Sequence, residues 1–284
     1  MIMEVKSAKR LEELDIAKGM AIICVILGHL GISSINRVVY VFHMPLFFFI
    51  SGYLISQKDP YFLFVKHKAK RLLRPYFYTC MSICLLSIPL AIYQGKPLLP
   101  TIFKWLGGCF YGSGGNMQPI IHMPVFIGAL WFLLALFWGL LFVRRIIDVF
   151  PPLGQFVAVV SLAWIGYETA KVSWWPWDIQ AGMTAGFFIY VGYLSRKLNV
   201  FNREMQIDLA LCSFITVVWC ISYFKGFWMV GNIYKNGIMD VFGALSSIYL
   251  IIYFCKMLKK FKKINKALSW WGGQQFNYSL FSYC

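Results

Sequence analysis

Apolar residues recur along the chain in runs of roughly 17 to 20 positions, the length at which an α-helix crosses the hydrocarbon core of a bilayer. The pattern predicts eight membrane spans and a ninth apolar stretch that begins near Leu268 and meets the end of the chain at Cys284. The eight predicted spans cover residues 16–35, 38–57, 76–93, 124–143, 153–169, 178–194, 207–224 and 237–255.

The composition supports this interpretation. Hydrophobic residues make up 60% of the 284 positions and charged residues only 13%, whereas a soluble domain carries about a quarter charged residues. We therefore expect an all-α, polytopic helix bundle in which residues 1–284 form a single integral unit with no soluble domain attached.

The net charge of +16 would indicate nucleic-acid binding in a soluble protein. Here most of the 27 Lys and Arg residues fall in the N-terminal segment and in alternate connections, above all 58–75 and 256–266. Such an asymmetry places the N-terminus and the basic connections in the cytoplasm. We expect a multi-pass protein of the inner (plasma) membrane that contacts membrane lipid and not nucleic acid.

Two polar residues interrupt the first apolar run, DIAKGMAIICVILGHL. Lys18 and His29 are eleven residues apart, so on a helix they point within about 20° of each other and lie roughly 16 Å apart along the axis. Ionisable groups in a span are costly and favour a functional interpretation. Alternatively, Lys18 reaches to the interface or pairs with Asp15, and His29 makes a hydrogen bond between helices.

A second histidine lies near the outer end of the next predicted span. His43 and His29 should lie at similar depth, because the first two helices are antiparallel and joined by a short outer turn. Two histidines at one depth indicate a polar cavity between the helices. The alternative is that the two rings only satisfy each other.

The cytoplasmic segment KHKAKRLLRPY, residues 66–76, concentrates positive charge. Lys70, Arg71 and Arg74 share a helix face by their spacing of three and four. This cluster could dock a polyanion, since arginine makes bidentate contacts with phosphate. Anchoring of the helix by the positive-inside rule would also account for it.

On the outer side, Asp178 lies at the end of a predicted span, where it could bind sugar hydroxyls or simply face water. It closes the segment KVSWWPWDI, residues 171–179, whose three tryptophans suit an interfacial aromatic belt or a platform for a sugar face.

Four segments carry a family pattern: LDIAKGMAIICVILGH, FHMPLFFFISGYLI, KRLLRPY and ALWFLLALF. In order and spacing they resemble the membrane-bound acyltransferase family 3, most closely its fucose 4-O-acetylase-like branch, over the first four predicted helices. The resemblance implies transfer of an acyl group, usually acetyl, from cytoplasmic acetyl-CoA to a glycan or lipid-linked sugar at the outer face.

By this resemblance, His29 matches the catalytic histidine, and Lys18 matches an arginine that precedes it by eleven residues. Lysine keeps the charge but loses the bidentate fork. Arg71 and Arg74 match the basic motif at the CoA end. A neutral imidazole can activate a sugar hydroxyl as a base, or carry the acyl group transiently. His43 would orient or assist.

Trp131 is expected to form part of the cavity wall, and no metal is expected. The family usually has ten spans, so a chain that ends at FNYSLFSYC is expected to be truncated at its C-terminus.

Two alternatives to acyl transfer remain open. One is a membrane transporter or glycan flippase that uses the histidines as a proton relay, although no internal repeat supports it. The other is an inactive truncated relic.

Overall fold

A computed structural model describes residues 12–115, 117, 119–120, 125–201, 213, 216–218, 220 and 227–258. The predicted seventh span lies mostly outside these residues, and the ninth apolar stretch lies wholly outside them.

Within these ranges the chain is almost entirely helical, with one small antiparallel pair of strands. Short helical turns lie at Gly128–Leu130 and at Pro176–Asp178. The elements are α1 (Glu12–Gly28), α2 (Ser33–Tyr40), α3 (His43–Tyr53), α4 (Tyr61–Lys68), α5 (Arg74–Tyr93), α6 (Leu98–Tyr111), α7 (Trp131–Val149), α8 (Pro152–Val172), α9 (Ile179–Lys197), β1 (Phe227–Trp228), β2 (Ile233–Tyr234) and α10 (Ile238–Leu258).

Several of these helices suit a bilayer. Among the described residues, four continuous helical stretches are long and apolar enough to cross a membrane: Ser33–Tyr53, Tyr61–Tyr93, Gly128–Val149 and Ile238–Leu258. The prediction of an α-helical membrane protein is confirmed at this level. The total of eight spans and a ninth stretch stays a prediction.

The first two predicted spans differ from the observed helices in a way that matters for the histidines. The first helix ends at Gly28 and not near residue 35, and the chain turns at Gly31, whose φ of 74° is a glycine conformation. Within the second span, Val41 and Phe42 form a turn between α2 and α3. His29 therefore directly follows α1, and His43 is the first residue of α3.

The third predicted span begins earlier than expected. Helices α4 and α5 are joined by a widened π-helical turn over Ala69–Leu73, so that residues 61–93 form one long helix. Pro75 has no N–H to donate to the carbonyl of Arg71 four residues earlier, which explains why the regular helix is interrupted here. The predicted outer connection 94–123 contains helix α6.

Helix α9 forms the centre of the bundle and packs against α3, α7 and α8. It approaches α3 at two glycines. A Cβ atom at Gly52 would overlap the carbonyl oxygen of Ile189, and one at Gly192 would overlap that of Phe49. Small residues allow membrane helices to approach this closely, so the backbones themselves are in contact.

A buried arginine holds the connection between α3 and α4. Arg144 on α7 donates from Nε to the carbonyl of Ser56 at 3.0 Å and from its terminal nitrogen to that of Asp59 at 2.8 Å. It also pairs with Asp148 one turn later. These bonds fix α4 and the π-helical turn against α7, which positions the basic residues described next.

Candidate active site

The two histidines line one large cavity, here called the central chamber. Its volume is about 670 Å³, and α1, α2, α3, α5, α7 and the hairpin of β1 and β2 contribute to its wall. His29, His43, Trp131 and Arg71 all line it, among mostly apolar neighbours. Residues that the sequence separates by up to about a hundred positions therefore meet in one space.

A smaller cavity of about 30 Å³, here called the basic pocket, adjoins the central chamber. It is lined by Lys18, Lys68 and Arg71 and by apolar side chains of α3 and α7. Four residues belong to the walls of both cavities and are here called the neck: Phe47, Arg71, Leu72 and Phe132. The cation and the imidazole that the sequence predicts to share a helix face therefore line two neighbouring cavities.

Both histidines are held by the same backbone contact. His29 Nδ1 lies 2.7 Å from the carbonyl oxygen of Val25, and His43 Nδ1 lies 2.6 Å from that of Val39. A carbonyl only accepts hydrogen bonds, so each Nδ1 carries the proton and each Nε2 keeps its lone pair. His29 is exposed and His43 is only 6% exposed, so His29 is the more accessible base.

Tyr40 connects the two histidines. Its hydroxyl donates to the carbonyl of Gly28, the residue before His29, at 2.9 Å, and its ring centroid lies 5.4 Å from that of His43. A Cβ atom at Gly28 would come within 2.8 Å of the Tyr40 ring. Glycine at position 28 therefore lets the tyrosine sit against the end of α1.

The basic pocket is unusually buried for a group of cations. Lys18 is 5% exposed, with Nζ 3.2 Å from Asp15 Oδ1, and Lys68 is 9% exposed, with Nζ 5.1 Å from the ring centre of Phe64. Arg71 is half-buried between them and the chamber. Cations gathered in a concave, low-dielectric site attract anions strongly.

The π-helical turn separates the basic residues that the sequence grouped together. Arg71 points into both cavities, whereas Lys70 and Arg74 are exposed and line neither. Lys68, which sequence reasoning missed, takes a place in the pocket. Its spacing of three from Arg71 was the available signal.

The structure does not bring Asp178 to the chamber wall. The carboxylate is fully buried and accepts a hydrogen bond from Trp174 Nε1 at 3.0 Å. Trp174 is itself fully buried, and Trp177 donates to the carbonyl of Phe110. A different tryptophan, Trp228 on β1, lines the chamber and was missed because two-residue strands leave no periodic pattern.

Within the described ranges, no cluster of three or more His, Cys, Asp or Glu side chains is placed to hold a metal ion. The ionisable side chains that line the two cavities there are histidine, tyrosine, lysine and arginine. Imidazole bases and an anion-binding pocket in one cleft suit group transfer from an anionic donor.

An apolar helical bundle with such a cleft suits a membrane-bound transferase. The family described as "Acyltransferase domain" matches residues 11–281, so the chain belongs to the acyltransferase 3 family. The family that the sequence motifs indicate is thereby confirmed, and its fucose 4-O-acetylase-like branch stays a prediction.

A curated relative is similar over part of the chain. It is the nodulation protein NolL of Mesorhizobium japonicum (strain LMG 29417 / CECT 9101 / MAFF 303099), 28% identical over 177 residues. The match covers 57% of this chain and 42% of that protein, so this chain spans less than half the length of its relative. No solved structure is significantly similar to the chain.

Proposed function

We propose that this protein is an O-acetyltransferase of the fucose 4-O-acetylase-like branch. It moves an acetyl group from cytoplasmic acetyl-CoA to a sugar hydroxyl of a cell-surface or lipid-linked glycan. The observation that carries the proposal is that the basic pocket adjoins the central chamber, with the neck residues in the walls of both. A donor with an anionic end and a long arm suits such a cleft.

The basic pocket is the proposed docking site for the phosphates of CoA. Lys18, Lys68 and Arg71 supply the charge, and the arginine can contact a phosphate with two parallel hydrogen bonds. The exposed Lys70 and Arg74 lie on the same basic segment and raise the local concentration of an anionic donor. The arm of the donor then passes the neck and brings its thioester into the chamber.

Acetyl transfer needs a base, because a sugar hydroxyl is a weak nucleophile. His29 Nε2 accepts the hydroxyl proton while the hydroxyl oxygen bonds to the thioester carbonyl carbon. The carbon–sulfur bond then breaks, and the thiolate of CoA takes the proton back from the imidazolium. His43, held in the same tautomer, orients the acceptor or assists the proton transfer.

The orientation follows from the charge pattern of the sequence. The segment that carries Lys68 and Arg71 belongs to the basic connections assigned to the cytoplasm. The chamber wall also includes Gly114 and the β1–β2 hairpin, which belong to the predicted outer connections, and Gly128 near the outer end of the fourth predicted span. We therefore place the N-terminus in the cytoplasm and the protein in the inner membrane.

Comparison of cells with and without the gene tests the activity. Mass spectrometry of surface and lipid-linked glycans should show O-acetyl groups, each adding the mass of one acetyl, only where the gene is present. Identical acetylation in both would contradict the proposal.

Removal of a pocket cation should weaken donor binding. We expect Arg71→Ala to raise the KM for acetyl-CoA by about tenfold or more, because a charged hydrogen bond contributes about 1.5–3 kcal/mol. Lys68→Ala should act in the same direction. Initial-rate measurements in membrane vesicles report this change, with Lys66→Ala as matched control, since Lys66 is exposed on the same helix. An unchanged KM in both pocket variants would argue against this docking site.

Tyr40→Phe isolates the hydroxyl that holds the end of α1. The ring stays against His43, but the bond to the Gly28 carbonyl is lost. We expect kcat to fall by up to about tenfold, the equivalent of one hydrogen bond, with the KM for acetyl-CoA unchanged. Gly28→Ala should have a similar effect and add little in the double variant, because both changes displace the same contact. Additive effects would show that the two residues act independently.

A further inference from the structure

One large aromatic side chain in the central chamber has no role in the mechanism above. Trp228 lies on β1, is 39% exposed and lines the chamber in which both histidines lie. Its neighbour Phe227 points the other way and is buried against Tyr234, with the ring centroids 4.9 Å apart. The alternation of the strand therefore directs the indole towards the cavity.

The hairpin that carries Trp228 is firmly anchored. Asn232, between the two strands, accepts a hydrogen bond from Thr184 Oγ1 at 2.7 Å and donates to the carbonyls of Gly166 and Gln180 at 3.2 and 3.1 Å. These partners lie on α8 and α9, the centre of the bundle. The indole is thus an exposed aromatic surface on a rigid support, which is typical of a ligand contact.

The surroundings of Trp228 suit a sugar ring. A pyranose has faces of C–H groups, which pack on an aromatic ring, and an edge of hydroxyls, which needs polar partners. Gly114 and Gly128 line the same chamber, and no atom lies within 4 Å of where a Gly128 side chain would begin. The polar side chains of His29, His43 and Tyr40 line the same chamber.

We propose that Trp228 is the platform on which a pyranose ring of the acceptor stacks. This inference rests on the proposed function, because it assigns the acceptor end of the same chamber. Of the tryptophans of residues 171–179, Trp174 is buried in the fold and none lines the chamber. The stacked sugar presents a hydroxyl to the histidine side of the chamber.

Binding can be measured without any transfer reaction. Saturation-transfer-difference NMR on the purified full chain in nanodiscs, with methyl α-L-fucopyranoside as the probe, should give a saturable signal. Trp228→Ala should weaken the apparent affinity by up to about tenfold, the scale of an aromatic contact. Trp228→Phe keeps a smaller aromatic ring and should therefore retain part of the affinity for the sugar. This variant provides the test if the alanine variant does not fold.

Trp164→Ala is the matched control, because Trp164 is 63% exposed on α8 and does not line the chamber. In the transfer assay, Trp228→Ala should raise the KM for the sugar and leave the KM for acetyl-CoA unchanged. Wild-type affinity for the sugar in both Trp228 variants would overturn the inference, as would an equal loss in Trp164→Ala.

The two proposals can fail separately. Acetyl transfer that does not depend on Trp228 overturns the stacking platform and leaves the acetyltransferase intact. Sugar binding that depends on Trp228, in a protein that transfers no acetyl group, supports the platform and rejects the proposed function.

Discussion

Replacement of His29 by alanine is expected to reduce acetyl transfer by at least about a hundredfold, the usual contribution of a positioned base. The Nε2 atom is the accessible proton acceptor of the chamber, and its loss leaves the hydroxyl without activation. Because the side chain is exposed, its removal costs little packing, and the protein should remain folded and inserted. Transfer of labelled acetyl from acetyl-CoA to methyl α-L-fucopyranoside in membrane vesicles measures the effect.

His67→Ala provides the control for this experiment. His67 is an exposed histidine on α4 whose Nδ1 lies 3.5 Å from an Asp59 carboxylate oxygen, and it lines neither cavity. The His67→Ala variant should transfer acetyl at the wild-type rate. The transfer rate of His43→Ala should lie between those of His29→Ala and His67→Ala, as expected for an assisting group. Acetyl transfer by His29→Ala at the wild-type rate would contradict the role of His29 as the base.

Gly192→Ala is expected to have a large effect on stability. The added Cβ would overlap the Phe49 carbonyl oxygen and lie 2.9 Å from the backbone nitrogen of Tyr53, so α3 and α9 would have to separate. Forced overpacking typically costs about 1–3 kcal/mol, and contact with the backbone leaves little room for relaxation. Fluorescence-detected size-exclusion chromatography after heating should show a lower midpoint temperature of unfolding and less folded protein.

Gly186→Ala on the same helix is the matched control. Its Cβ would lie 3.5 Å from a Val143 methyl group, an ordinary van der Waals distance, so the midpoint should barely change. Alanine is a better helix former than glycine, so helix propensity destabilises neither variant. Equal destabilisation by the two substitutions would therefore contradict the role assigned to the contact between α3 and α9.

The sequence predicts those parts of the site that depend on a single helix. Helical spacing predicts Lys18 and His29 on one face of the first helix. The structure ends α1 at Gly28, so His29 follows the helix, and the two residues line two adjoining cavities. The expectation that His43 shares a cavity with His29 agrees with the structure.

Other parts depend on tertiary structure and leave no periodic signal. Lys70 and Arg74 flank Arg71 across the π-helical turn and line neither cavity, although regular helical spacing groups them with Arg71. Trp228 reaches the chamber because Asn232 fixes the hairpin to helices far away in the sequence. The carboxylate of Asp178 is buried in the fold, where it accepts a hydrogen bond from Trp174.

The central claim is that an acetyl group passes from a donor on one side of the membrane to an acceptor on the other. Sealed inside-out vesicles, with labelled acetyl-CoA added outside and methyl α-L-fucopyranoside enclosed, test it directly. The account predicts acetylated sugar inside the vesicles, formed at the expense of external acetyl-CoA and absent with His29→Ala. Labelled sugar formed only when both substrates share one side, or sugar crossing the membrane without consumption of acetyl-CoA, would contradict it.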